Sequence, residues 1–405
     1  MPTFTYVART RSGTKQRGSL VATNRQAATQ MLAQRGLTAD KISEQAAKAK
    51  AGSRKLNKKV KSTELLVFTR QLSTIVSAGL PLLQGLDILA DQTDDPNFGA
   101  VIEAVAQDVE SGETFSDALR KYPRAFPDLY VSMVRAGEAG GDLDGVLLQL
   151  ADYLEASEDL KRRIKSAMTY PVVAFGMILV IATGLIVFVV PQFAEIFGSF
   201  GRELPLPTKI LIAMSNFLRT WYAILVMIAV VVGIIFGLRM YGATATGKYN
   251  LDALKLRIPV FGNLQRKVAI SRFTRTLSTL TRSGVAILQA LEIVERTAGN
   301  EVYAKAIRQS ADSVRNGETL AEPLARAEVF PAMVTRMIAV GEKTGALETM
   351  LMKISDFYDS EVRAMVDQLT SLIEPLLIGL MGLVVGLIVI ALFMPILQLS
   401  QLVGN

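Results

Sequence analysis

The chain has 405 residues, of which 50% are hydrophobic, a formal net charge of +7, and neither cysteine nor histidine. Because few soluble domains are this apolar, a membrane protein is the first hypothesis. The missing residue types exclude thiol catalysis, disulfides, zinc and iron–sulfur sites, and imidazole acid–base chemistry.

Residues 1–43 are predicted to form a small β/α module. TFTYVA, which begins at Thr3, alternates as a β-strand does, and SLVA favours a returning strand. Residues 24–35 then have the spacing of a helix that ends before Gly36. Residues 44–61 are rich in Ala, Lys and Arg, which predicts a flexible basic linker, with contact to anionic lipid as the alternative.

The rest of the chain contains a direct repeat. Residues 68–89, which begin FTRQLST, are identical at 11 of 22 positions to residues 273–294, which begin FTRTLST. The match continues through SGET in the first copy and NGET in the second. The offset between the copies then changes by one residue, and the match resumes at a Phe-Pro pair in each copy. We therefore expect two copies of a helical-bundle domain, residues 62–168 and 265–374, with about six helices each.

A glycine-rich segment with a carboxylate occurs once in each copy. Residues 137–143 read GEAGGDL and residues 341–347 read GEKTGAL. Such a segment is typical either of an active site or of a connection between helices, in which Gly adopts a left-handed conformation and an acidic residue favours the next helix N-terminus. We favour the connection, because catalysis needs a convergent set of groups. The Glu of each segment is predicted to contact either a partner or a helix end.

These segments supply six candidate site residues, and the membrane border supplies a seventh. Gly137 and Gly341 are expected to need a positive φ, and Asp142 is expected to cap the helix that follows it. Glu374 precedes Pro375 at the bilayer boundary, where it either reaches the interface or pairs with a basic group of the helical domain. The candidates for partner contact are Gly137, Glu138, Gly141, Gly341, Glu342, Gly345 and Glu374.

Three apolar stretches are long enough to cross a bilayer core of about 30 Å: residues 169–191, 220–239 and 375–396. The first and third are equivalent in the repeat, so the second is the return crossing that places both domains on one side. Basic residues precede the first span and follow the second, which predicts a cytoplasmic N-terminus and an external C-terminus. The remaining segments are an external loop (residues 192–219), a cytoplasmic connector (240–264) and an external tail (397–405).

Residues 242–248, GATATGK, match the phosphate-loop pattern G-x-x-x-x-G-K but lack its setting. Tyr249 stands where Ser or Thr should contact magnesium, and a membrane span precedes the segment instead of a buried strand. We therefore expect no nucleotide site there, and no cofactor or metal elsewhere. Lys248 is interpreted as part of the positive charge that follows the second span.

Nearly the whole chain resembles the type II secretion F family. The resemblance rests on the motifs F-x-R-x-L-S-T, G-E-T, Phe-Pro and G-E-x-x-G, which occur in both copies, and on the position of a span after each copy. That family comprises the inner-membrane platform proteins of type IV pili and of type II secretion systems. The resemblance implies a mainly α, polytopic, non-enzymatic platform on which a cytoplasmic hexameric assembly or retraction ATPase acts, and through which pilin or pseudopilin subunits enter a fibre. It also implies other inner-membrane assembly proteins as partners and self-association through the helical domains, with no role for nucleic acid.

Two other classes of function are weighed against this interpretation. A small-solute transporter would also contain repeats, but the interiors of the spans carry no charged residue, and three spans are few for a path in one chain. A membrane-tethered enzyme is disfavoured because His and Cys are absent. Pilus assembly and type II secretion stay open as alternatives within the family.

Overall fold

The computed structural model describes residues 3–10, 15–21, 31, 37–45, 59–198 and 205–403. The described N-terminal residues form a three-stranded antiparallel sheet in the order β2-β1-β3, with β1 at Thr3–Thr10, β2 at Lys15–Val21 and β3 at Leu37–Gln45. The strand β3 is not predicted by the sequence pattern, since its residues LTADKISEQ alternate only weakly and backbone pairing with β1 defines the strand. Apart from Met31, the predicted helix at residues 24–35 lies outside the described residues, as does most of the predicted linker.

The first copy of the repeat is helical, as the sequence predicts. Leu65, Phe68 and Leu72 form the buried stripe of its first helix, which ends at Ser77 and is followed by Gly79 at a φ of 81°. The helices of this copy are α1 (Ser62–Ser77), α2 (Leu82–Gln92), α3 (Pro96–Glu110), α4 (Phe115–Arg120), α5 (Asp128–Gly140) and α6 (Leu143–Gly184).

The second copy follows the same order. Its helices are α11 (Phe261–Arg282), α12 (Ile287–Thr297), α13 (Glu301–Arg315), α14 (Ala321–Arg326), α15 (Ala332–Thr344) and α16 (Leu347–Val403). Between the copies lie the π-helical segment Leu185–Val189 and the helices α7 (Val190–Gly198), α8 (Leu206–Arg219), α9 (Trp221–Ala243) and α10 (Ala245–Arg257). The described part of the predicted external loop is thus mostly helical.

An aromatic cluster at equivalent positions forms the centre of each copy. In the first, the ring centroids of Phe68 and Phe98 are 5.4 Å apart and those of Phe98 and Phe126 are 6.0 Å apart. In the second, the ring of Phe330 lies 4.9 Å from Phe273 and 5.3 Å from Tyr303. Rings at these distances pack in tilted or edge-on geometry, which adds to the free energy of burying their apolar surface. The repeat in sequence is therefore a repeat of the core.

The two copies also pack against each other along α6, α11 and α16. The hydroxyl groups of Tyr153 and Thr276 are 3.2 Å apart, and the Ser283 hydroxyl donates a 2.9 Å hydrogen bond to Gln149. Nearer the spans, an apolar contact joins α6 to the second copy and includes Leu160, Ile164, Leu264, Val362, Val366 and Leu369. One continuous hydrophobic core therefore extends through both copies.

Among the described residues, three helices are long and apolar enough to cross a membrane, within Leu143–Phe193, Leu225–Ala243 and Leu347–Met394. The first and third contain 51 and 48 residues, so each runs from its helical domain into its span as one helical segment, which in the first includes the π-helical residues Leu185–Val189. The predicted domain borders at residues 168 and 374 fall inside these helices and stay predictions.

The three spans differ in how they pack within the chain. The first and third meet around α8, where Ile186, Leu211 and Ile388 are buried together and the Thr208 hydroxyl donates to the Ala391 carbonyl. The second, α9, is exposed at every described side chain from Leu225 to Met240. Lipid or another protein must therefore cover its whole surface.

Candidate functional site

Both GE segments form helix ends that are joined to a neighbouring helix. The Glu138 carboxylate accepts hydrogen bonds from the backbone N–H groups of Phe115, at 2.6 Å, and Ser116, at 3.0 Å. Glu342 accepts equivalent bonds from Leu320 and Ala321, at 2.5 and 3.0 Å. These N–H groups belong to the starts of α4 and α14, where the backbone has no helical acceptor and carries partial positive charge. The sequence predicted that each Glu contacts either a partner or a helix end, and in the structure each Glu contacts a helix end.

Four of the five glycines of these segments have two different structural roles. Gly141 and Gly345 end α5 and α15 with φ values of 71° and 70°, as the helix connection predicts. The expectation that Gly137 and Gly341 need a positive φ is wrong, because both lie within their helices and only the later pair has a positive φ.

Gly137 and Gly341 are instead needed for close helix packing. A Cβ atom on Gly137 would lie 3.0 Å from the Val146 side chain, and one on Gly341 would lie 2.8 Å from the Leu347 Cα. Each glycine thus lets a short helix touch the beginning of the long helix that leads to a span. Sequence spacing shows where the glycines are, but only the crossing of the helices shows why a side chain does not fit.

The two long helices begin differently. The Asp142 carboxylate accepts a 3.2 Å hydrogen bond from the Gly145 N–H and caps α6, as predicted. The equivalent residue of the second copy is Ala346, which has no side-chain acceptor. The cap is therefore a feature of the first copy.

Glu374 lies within α16 and is exposed. Among the described residues it has no recorded hydrogen bond or ion pair, so the basic partner considered as one alternative is not found there. It lies far from the GE segments along the helix, and the seven candidate residues do not form one site.

In each copy, an arginine on the first helix forms ion pairs with acidic residues on the long helix that leads to the span. Neither arginine was among the candidate site residues predicted from the sequence. Arg70 contacts Asp152, at 2.9 Å, and Glu155, all on α1 and α6. In the second copy Arg275 of α11 contacts Asp359 of α16, as well as Asp356 at 3.4 Å.

The paired arginines and acids occupy matching positions of the repeat. Arg275 is the less exposed arginine, at 18% against 37% for Arg70, so the second pairing is better shielded from solvent. The arginine of each F-T-R sequence was visible in the alignment, but its acidic partners lie over 80 residues further along the chain.

The phosphate-loop lookalike is part of a helix start. Thr244 caps α10 by accepting the Gly247 N–H, at 3.1 Å, and the Lys248 N–H donates to the Thr244 carbonyl at 2.9 Å. These N–H groups are therefore used within the helix and do not face a phosphate. The Lys248 ammonium pairs with Glu301 at 2.8 Å, and this hydrogen bond raises the pKa of Lys248.

Comparison with known proteins agrees with this architecture. The chain matches the family Type II secretion system (T2SS), protein F, over residues 68–191 and 273–395, and the N-terminal domain of Type II secretion system protein F over residues 1–43. The two matches to protein F cover the same two copies that the structure repeats. The chain belongs to the type II secretion system protein F family.

Three relatives illustrate the range of this family. A type IV pilus assembly protein PilC from Thermus thermophilus is 43% identical over 98% of this chain and 98% of its own length. A PilC from Myxococcus xanthus is 41% identical over 98% of this chain and 95% of its own length. A type II secretion system protein F from Pseudomonas aeruginosa is 34% identical over the full length of both.

Adding one methyl group tests the close packing at the GE segments. Gly341→Ala should lower the free energy of unfolding by about 1–3 kcal/mol, because its Cβ meets backbone, and Gly137→Ala should act in the same direction. Thermal unfolding of the full chain in detergent measures the change. Gly140→Ala is the matched control, since nothing lies within 4 Å of its Cβ, and it should be neutral or stabilising by up to about 1 kcal/mol. Equal effects at Gly140 and Gly341 would contradict the packing role.

Removing one charge tests the helix-end contact. Glu138→Gln should lower stability by about 1–2 kcal/mol, because the two N–H groups bond to different carboxylate oxygens and the carboxamide replaces one of these acceptors by an NH2 donor. Glu342→Gln should have a similar effect, as measured by the melting temperature of each full-length variant. Glu103→Gln is the control, because Glu103 is exposed on α3. A Glu138→Gln protein that melts with the wild type would show that the contact contributes no stability.

Proposed function

We propose that this chain is the inner-membrane platform of type IV pilus assembly, coupling a cytoplasmic hexameric ATPase to the insertion of pilin subunits into the fibre. The observation that carries the proposal is the continuity of α6 and α16, each of which belongs to a helical domain at one end and to a span at the other. A force that tilts or rotates a domain must move its span, since each helix continues past the proline at the border, Pro171 or Pro375, without ending there.

The contacts at the start of each long helix support this coupling. Arg70 and Arg275 fasten the first helix of each copy to the long helix, and Gly137 and Gly341 bring α5 and α15 against its first turns. Each long helix is therefore held at several points within its domain. We propose that the chain performs no chemistry and that the ATPase supplies the work.

The equivalent platform of a type II secretion system is the second candidate. It is supported by the relative named type II secretion system protein F, at 34% identity over both full lengths. The relatives named PilC, at 43% and 41%, favour pilus assembly. In either system, pilins or pseudopilins and other inner-membrane assembly proteins are the proposed partners. Self-association is proposed as well, and the exposed surface of α9 leaves room for it.

Deletion of the gene in its own host should remove surface pili, and expression of the wild-type chain should restore them, as measured by electron microscopy and by pilin recovered after shearing. A host that keeps its pili but no longer secretes folded exoproteins would favour the secretion system. A host that loses neither would contradict both candidates.

The source of energy is tested with the purified full chain in nanodiscs. It should hydrolyse no ATP above the rate of empty nanodiscs, and it should change the turnover of the host's assembly ATPase. Lys248→Ala should restore pili almost as well as wild type, because an exposed ion pair contributes at most about 1 kcal/mol. Hydrolysis by the isolated chain that disappears in Lys248→Ala would contradict the platform and indicate an enzyme.

We further propose that the N-terminus and both helical domains face the cytoplasm and that the C-terminus is external. The basic residues before the first span and after the second support this orientation.

Cysteine labelling tests the orientation, since the chain has no cysteine to remove. In intact spheroplasts, an impermeant thiol reagent should label Asn216→Cys on α8 but neither Gln92→Cys on α2 nor Gln309→Cys on α13. All three positions are exposed, so access to the reagent depends on the side of the membrane. Lysed cells provide the control, in which all three variants should react. The reverse pattern in intact spheroplasts would overturn the orientation.

A further inference from the structure

A polar groove lies between α6 and α16 on the domain side of the two spans. It encloses about 520 Å³ and is lined from α6 by Arg163, Ser166 and Tyr170, and from α16 by Arg363, Asp367 and Thr370. Its two walls belong to different copies of the repeat. Neither the platform function nor the twin GE segments account for these residues.

The groove lies at the depth of phospholipid headgroups. No charged residue occurs from Ser166 to Ala194, a stretch of 29 residues, which as a helix measures about 43 Å. That length corresponds to a bilayer with its headgroup layers, about 40–45 Å. Arg163 lies one helical turn before this stretch, at the outer edge of the headgroups. Tyr170 is 53% exposed, as aromatic side chains at the membrane interface commonly are.

Two guanidinium groups lie close together at the end of the groove that is nearer the helical domains. Arg163 Nε and an Nη atom of Arg363 lie 2.9 and 3.5 Å from the same oxygen of Asp159. Their side chains are 52% and 50% exposed. A guanidinium carries five N–H donors, so each arginine can bind a second oxyanion while it keeps Asp159. The carboxylate of Asp159 holds the two arginines of opposite walls side by side.

The groove carries charges of both signs. Arg163 and Arg363 contribute two positive charges, and Asp159 and the exposed Asp367 contribute two negative ones. A purely anionic ligand would meet Asp367 as a like charge, which is unfavourable. A ligand with a phosphate and a primary ammonium complements both kinds of charge. Its phosphate oxygens accept hydrogen bonds from the guanidinium groups, and its ammonium donates hydrogen bonds to a carboxylate.

We propose that this groove binds the headgroup of phosphatidylethanolamine. The phosphate lies between Arg163 and Arg363, the ammonium contacts Asp367, and the acyl chains follow the exposed apolar surfaces that continue on both spans, such as Val173 and Leu376. The lipid joins the long helix of one copy to that of the other where both enter the membrane. The proposal depends on the spans crossing a membrane but not on the pilus function or on which side the domains lie.

Native mass spectrometry of the full chain in detergent tests the groove, with phosphatidylethanolamine, phosphatidylglycerol and phosphatidylcholine of identical acyl chains. The protein should retain phosphatidylethanolamine at lower concentration than either other lipid. Arg163→Gln and Arg363→Gln should each weaken its retention about fivefold. Arg162→Gln is the matched control, because it removes the same charge from the neighbouring exposed position of α6, outside the residues that line the groove, and it should retain the lipid as wild type does.

Two further variants separate recognition from folding. Asp367→Asn should abolish the preference for phosphatidylethanolamine over phosphatidylcholine, whose ammonium has no N–H, while some retention through the phosphate persists. Arg363→Lys keeps the charge and should recover part of the binding that Arg363→Gln loses. Preference for phosphatidylglycerol, equal losses in Arg162→Gln and Arg163→Gln, or a groove that a second copy fills without lipid would each overturn the proposal.

Discussion

The structure depends on the fastening of each long helix within its own domain. α6 and α16 must continue into lipid, where every backbone polar group needs an internal partner, so these segments stay helical along their whole length. A helix that extends this far beyond a small domain would move relative to the domain unless several contacts within the domain fix its position. The arginine of each F-T-R sequence and the close approach at Gly137 and Gly341 provide that hold.

The repeat is symmetrical where stability requires it and asymmetrical where the copies have different surroundings. Equivalent Glu residues cap equivalent short helices, and equivalent arginines pair with equivalent acids. The second copy has the more buried arginine, which matches the greater burial of its first helix. The first span contains the π-helical segment, on which α8 packs, whereas the matching part of α16 is a regular helix.

Much of this fold follows from local patterns. The helical stripe at Leu65, the stop at Gly79 and the cap at Asp142 are all visible in sequence because each depends on neighbours in the same or the next helix. The third strand of the N-terminal sheet was missed because its own residues barely alternate and β1 supplies its partner. The reason for Gly137 was also misjudged, since φ is a local property and helix crossing is not.

By itself the sequence determined that the chain is a membrane protein with a direct repeat, because hydropathy and identity between copies need no knowledge of folding. It also located the GE segments, but it left the Glu side chains between a partner and a helix end. Only the tertiary structure decided that question, by bringing the start of α4, 22 residues earlier in the chain, to the carboxylate of Glu138. The arginine–acid pairs and the groove between α6 and α16 likewise require helices from distant parts of the chain to lie side by side.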